Sequence, residues 1–148
     1  MRVVIDTNLL IDGVKDDFNY GNRVIDLVLA GKIQAFANRA TLRENKLIAG
    51  KKVKDLDYSE KLEKYFEKVQ VTNSYGLDSI DVVEDKEDNK LVESAIASGA
   101  EFLISSDKHL LKLESYKGVK MVRPQEFVNL YEEESGSGWN QWIGDFIK

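Results

Sequence analysis

Residues 1–13 read MRVVIDTNLLIDG, and the step from Val3-Val4-Ile5 to Asp6-Thr7-Asn8 decides how the rest of the chain is read. Three consecutive β-branched residues without polar alternation are the pattern of a strand buried on both faces. Asp6 follows at once, and a carboxylate at the end of a buried strand is costly unless something binds it. The pattern returns at residues 102–107, where Phe-Leu-Ile is followed by two serines and Asp107.

Between and beyond these runs the chain alternates. Val24, Ile25, Leu27, Val28 and Leu29 fit a helix from Asn22 to Leu29, stopped by Gly31. Ile33 to Ala37 is a second candidate strand, and Thr41 to Ala49 a helix closed by Gly50. Ser59 can cap a helix carrying Leu62, Tyr65, Phe66 and Val69. A polar, acidic loop fills residues 73–87, and Asp88 then begins a helix marked by Leu91, Val92, Ala95 and Ile96 and ended by Gly99. A short helix with Leu110, Leu111 and Leu113, a strand over residues 119–122, and a helix opened by Pro124 complete the pattern. Strands alternating with helices predict an α/β fold: an α/β/α sandwich around a central, mostly parallel sheet. Ligands in such folds sit beyond the carboxyl ends of the strands, so Asp6 and Asp107 are expected at the edge where chemistry occurs.

The 148 residues are enough for one domain with a real core. There is no cysteine, which excludes disulfides and thiolate metal sites and fits a reducing cytoplasm. No signal sequence or apolar run of about 18 residues is present, so a soluble, cytoplasmic protein without a membrane partner is expected. The formal net charge of −5 argues against a dedicated nucleic-acid coat protein. Charge is uneven, however. Arg39, Arg43, Lys46, Lys51, Lys52 and Lys54 stand against Glu44 alone, a local basic face able to hold a phosphodiester backbone. A solvated helix face is the plainer account of the same residues.

Four acids are candidates for chemistry: Asp6, Glu44, Asp88 and Asp107. Each of the last three has an ordinary explanation. Asp88 and Asp107 can cap helices, and Glu44 can pair with Arg43 or Lys46 at the surface. If the four converge, the outcome changes. Two carboxylates about 5 Å apart repel by roughly 3 kcal/mol at an effective dielectric near 20. Such a group either takes up protons or holds a hard divalent cation, Mg²⁺ or Mn²⁺. Asp85, three residues before Asp88, can assist or replace it. No other nucleophile system is evident: His109 is the single histidine and reads as a helix-surface residue.

These residues resemble a known family. Val-Val-Ile-Asp-Thr-Asn-Leu-Leu-Ile resembles the first motif of the PIN-domain nucleases, Ala-Thr-Leu-Arg-Glu at 40–44 their second acidic motif, and residues 85–111 their third and fourth motifs in one block. The resemblance runs from Met1 to about Phe127. It implies a Mg²⁺ or Mn²⁺ site and endonucleolytic cleavage of RNA. It also implies kinship with VapC-like toxins that a protein antitoxin holds inactive. Asp6, Glu44, Asp88 and Asp107 match the family's acidic positions. Thr7 and Asn8 match the polar residues after the first acid, Asn8 being expected to brace the site, and Ser105 stands where the family has Thr or Ser.

Two rival readings stay open. A haloacid-dehalogenase-like phosphotransferase also begins with an Asp at a strand end, but needs a second Asp where Asn8 stands. A non-catalytic PIN-like scaffold would bind RNA or protein without cutting, yet all four acids are present. Residues 1–134 read as the domain itself. Residues 135–148 read as a Ser-Gly spacer and an amphipathic stripe of Trp139, Trp142, Ile143, Phe146 and Ile147. That stripe either docks on a second copy, making a homodimer, or on another protein, or else closes the domain's own core.

Overall fold

A computed structural model describes residues 1–12, 20–73 and 81–135; the expected docking segment beyond residue 135 lies outside them. Six strands form one sheet: β1 (Arg2–Ile5), β2 (Gln34–Asn38), β3 (Gln70–Thr72), β4 (Phe102–Ile104), β5 (Ser115–Tyr116) and β6 (Val119–Val122). Their order is β3-β2-β1-β4-β6-β5, with every neighbouring pair parallel except the terminal β5–β6 hairpin. From β1 the chain moves outward through β2 to β3, then returns to place β4 on the other side of β1. The boundary between β1 and β4 is therefore the topological switch point, where an open parallel sheet leaves a crevice at its carboxyl edge.

Burial on both sheet faces explains the continuous apolar runs. Val3 and Ile5 of β1, with Phe102 and Ile104 of β4, join one core. That core contains residues from helices α1 (Thr7–Asp12), α2 (Tyr20–Leu29), α3 (Arg39–Lys52), α4 (Leu56–Lys68) and α7 (Pro124–Ser135). Val4 and Leu103 point the other way, into a second core with α5 (Lys86–Ser98) and α6 (Lys108–Leu113). This is the period-two alternation of a strand expressed between two apolar layers. The expected α/β/α sandwich is the observed fold.

Several boundaries differ from expectation for physical reasons. Gly50 does not close α3. A glycine ends a helix readily where it adopts positive φ, as Gly99 does after α5 at φ 68°, and Gly50 does not. The helix runs on to Lys51 and Lys52, whose charges suit its carboxyl end, and stops at Val53. Asp55, not Ser59, caps α4 by accepting the Tyr58 N–H at 2.8 Å. Asp88 does not open α5; Asp85 caps it, and the helix begins at Lys86, inside the stretch expected to be loop. The helix α1 and the short strands β3 and β5 are additions to the expected set.

Candidate active site

Asp6 stands between β1 and α1, and Asp107 between β4 and α6, so the switch point brings them together from positions about a hundred residues apart. Ser105, wholly buried, links them. Its hydroxyl donates to Asp6 Oδ2 at 2.8 Å and accepts the Asp107 backbone N–H at 2.9 Å. The other Asp6 oxygen accepts the Asn8 N–H at 3.2 Å, so Asn8 braces the carboxylate through its backbone. Asp107 caps α6 by accepting the His109 N–H at 2.7 Å. The capping role expected for Asp107 is thus real, and it leaves the residue on the same edge as Asp6.

Asp88 arrives from α5. Because Asp85 takes the cap, accepting from Glu87 at 2.7 Å and more weakly from Asp88 at 3.4 Å, capping does not account for Asp88. It lies in the first turn and is buried. Asn89, also buried, fixes the approach to this helix. Its side-chain oxygen accepts the Val82 and Val83 N–H groups, and its amide donates to the carbonyls of Val83 and Asp85. Glu44 comes from α3, on a stripe with Thr41 and Ile48 at helical spacing. The helix bearing it is tied to α1 by the Thr7 hydroxyl, which donates to Asn45.

These side chains surround one cavity of about 200 Å³. Asp6, Thr7 and Asn8 line one part, Thr41, Glu44 and Ile48 another, and Asp85, Glu87, Asp88, Leu91 and Asp107 the rest. All four acids singled out in the sequence, and Asp85 with them, therefore share a single pocket. None of the six cations of residues 39–54 lines it. Arg39, Arg43 and Lys46 follow each other on a different stripe of α3, and Lys46 borders an apolar groove against α4. Lys51 shares the Glu44 stripe, and Lys52 and Lys54 are exposed near the end of the helix. Asn45 and Asn89 are the residues sequence reading missed.

The electrostatics follow from burial and crowding. Burial raises the Asp6 carboxyl above its ordinary value against the lowering effect of Ser105 and Asn8, and the charges of Asp107 and Asp85 add to the rise. Asp88 is pushed up to about 6, first by burial and then by Asp107, Asp85 and Asp6. No three acidic or imidazole groups among the described residues are closed into a ready cage for an ion. A magnesium-type ion does not require one, since it keeps several waters and is held through one or two carboxylates. The all-oxygen donor set and the unbalanced negative charge fit such an ion.

A pH dependence follows for the metal-free protein. Folded Asp88 keeps its proton to about 6, whereas its ordinary value is 3.8. Between these values the folded chain binds more protons than the unfolded one, so stability falls as pH rises. The expected melting temperature in EDTA is higher at pH 4.5 than at pH 7 as far as this group is concerned. Replacing Asp88 by Asn should flatten that interval, and an unchanged slope in the variant would contradict the assignment.

Fold and site together define a class: an α/β/α sandwich with a carboxylate pocket at its topological switch point. A family model of the PIN domain matches residues 2–109, and the chain belongs to the PIN-domain family, whose members are generally nucleases. The chain is similar to the uncharacterized protein MJ1680 of Methanocaldococcus jannaschii, with 27% identity over 90% of this chain and 93% of that one. Its fold is similar to a chain of the crystal structure of VapBC2 from Rickettsia felis bound to a promoter DNA fragment. There the TM-score is 0.56 at 15% identity, over 82% of this chain and 97% of that one. No helix among the described residues is long and apolar enough to cross a membrane.

Proposed function

We propose that the protein is a Mg²⁺- or Mn²⁺-dependent endoribonuclease whose active site is the pocket of Asp6, Glu44, Asp88 and Asp107, assisted by Asp85. The observation that carries this reading is the gathering of carboxylates from four separate segments into one cavity, two of them raised by burial and by their neighbours. A surface salt-bridge network would have cations interleaved, and among the described residues no cation lines this cavity. When bound, the divalent ion supplies neutralising charge and polarises the phosphoryl group.

The protein's own part is positioning. Ser105 and the Asn8 N–H hold both Asp6 oxygens in place. Asp107 is oriented through the same serine, and Asp88 through the Asp85 cap and the Asn89 network. Glu44, exposed and in the pocket lining, would complete the acidic set that holds the ion. The water oxygen bonds to phosphorus and gives up a proton to solvent, one P–O bond of the backbone breaks, and the leaving ribose oxygen takes up a proton from solvent.

The direct test is cleavage of an end-labelled single-stranded RNA by the purified protein. Cutting is expected with Mn²⁺ or Mg²⁺, loss of it in EDTA, and recovery on adding metal back. Equal cutting in EDTA and in metal would defeat the reading.

For RNA binding, Lys51 and Lys52 lie nearest the rim by helix position and begin a basic track that Lys54 continues, while Arg39, Arg43 and Lys46 stand on another stripe of the helix. The double change Lys51→Ala and Lys52→Ala should weaken RNA affinity. It should also reduce the slope of log K against log salt by about 1.4, at about 0.7 per lost phosphate contact on a single strand. An unchanged slope would remove both lysines from the track. Because the Rickettsia felis neighbour is a VapBC complex, we further propose that the chain is the toxin of a toxin–antitoxin pair acting in the cytoplasm. Growth arrest on expression, relieved by a co-expressed neighbouring gene product, is the expected behaviour. Undisturbed growth with active enzyme present would favour an RNA-processing role.

A further inference from the structure

A second and larger cavity, about 470 Å³, is lined by residues next along the chain from those of the carboxylate pocket. One wall is residues 81–84, and the other is His109, Lys112 and Leu113 of α6. Two of the four segments that line the carboxylate pocket continue into this lining. Residues 81–84 run directly into Asp85, and His109 follows Asp107 by two positions and donates its N–H to that carboxylate. The two cavities therefore lie close together near the starts of α5 and α6.

The lining selects what it can hold. Val82, Val83 and Leu113 pack partly buried against the α5–α6 core and give an apolar floor. His109 is exposed and lines the cavity, so an aromatic face is available at its edge. Asp81 and Glu84 stand in the same lining as Lys112. Two carboxylates make the cavity a poor phosphate site. The mixture suits a flat group that is apolar on its faces and carries donors and acceptors on its edge. Single-stranded RNA offers such a group in an unstacked base, which proteins take up on aromatic side chains, histidine included, and read by its edge. Guanine matches the polar set best: a carboxylate accepts from its N1–H and N2–H₂, and a lysine donates to O6 or N7.

We propose that this cavity is a base-recognition subsite taking a guanine beside the scissile phosphate. The proposal rests on the ribonuclease reading for its place in the reaction, but not for its ligand chemistry. The full chain is titrated with guanosine 5′-monophosphate and uridine 5′-monophosphate in Mg²⁺ and followed by methyl and imidazole NMR signals. Saturable shifts are expected at Val82, Val83, Leu113 and His109 with the guanine nucleotide, and at least fivefold weaker binding with the uridine one. His109→Ala should weaken the guanine nucleotide about tenfold, the scale of losing one stacking partner. In cleavage of a randomised RNA the same variant should lose preference for guanine at one position while still cutting. Binding without cleavage would uphold the subsite and sink the nuclease reading. Cleavage without any shift at these four residues, or shifts identical in wild type and His109→Ala, would overturn the subsite alone.

Discussion

Asp6→Asn should reduce RNA cleavage by roughly a thousandfold or more, about 4 kcal/mol of lost transition-state stabilisation, while leaving the protein folded. The two halves of this expectation come from the same geometry. Asp6 ends β1, where its oxygens already have fixed donors in Ser105 and Asn8. An asparagine oxygen can keep the Asn8 N–H, and its amide can donate to the Ser105 oxygen once that hydroxyl turns away, so both contacts can be kept with one reversed. What is lost is a negative charge at the centre of the cavity, and with it an anionic ligand for the ion. Removing that charge also relieves a buried carboxyl, so the metal-free melting temperature should not fall. Circular dichroism and thermal melting, run beside the cleavage assay on protein freed of host nucleases, check both halves. Retained full activity would defeat the assignment. Inactivity with an unfolded spectrum would show that Asp6 serves the fold, which its place in the pocket argues against.

The second large effect is expected at Asp88, and here activity and stability should move in opposite directions. Asp88→Asn should lower cleavage at least a hundredfold. The same change should raise the melting temperature of the metal-free protein near pH 7, by about 4 °C for each 1 kcal/mol relieved in a chain of this size. The reason is that burial and three neighbouring aspartates penalise the ionised form of Asp88. An ordinary buried residue loses stability when altered, and an ordinary surface residue loses nothing. Only a group held in place for its charge gives this combination. Saturating Mn²⁺ should reverse the order, stabilising wild type more than the variant, because binding to the folded state adds stability in proportion to affinity. A variant that is less stable than wild type without metal, or equally stabilised by Mn²⁺, would remove Asp88 from the site.

Much of this arrangement is legible in the chain because the strongest signals coincide. The runs ending in Asp6 and Asp107 are apolar on both sides of the strand, so they mark the sheet's centre, and the centre is where the switch point falls. The sandwich follows from the alternation. The shorter elements carry too little pattern to be read. β3 has three residues at the sheet edge with Gln70 and Val71 exposed, and α1 has six, too few for a helical period to emerge from Leu9, Leu10 and Ile11. Caps are ambiguous where several acids crowd together. Asp55, Asp57 and Ser59 all precede the apolar part of α4, and Asp85, Glu87 and Asp88 open α5; in each case the first aspartate wins. That shift strengthens the reading of Asp88 by removing its ordinary explanation. The buried amides Asn45 and Asn89 gave no signal. Asn45 meets Thr7 across 38 positions, and Asn89 bonds mainly to backbone, which no side-chain motif records.

The basic segment illustrates a different limit. Composition alone puts six cations beside Glu44, but helical geometry separates them into stripes. Lys51 recurs seven residues after Glu44, whereas Arg39, Arg43 and Lys46 repeat on a face turned toward α4 and solvent. Density of charge along a sequence and density of charge around a pocket are different quantities.

The most direct measurement is anomalous diffraction from a crystal soaked in Mn²⁺. The account predicts a manganese peak inside the cavity within coordination distance of Asp6, with Asp88 or Asp107 as a second carboxylate contact and the remaining positions filled by water. A fully exchanged crystal with no peak there, or with manganese only on surface acids elsewhere, would contradict it.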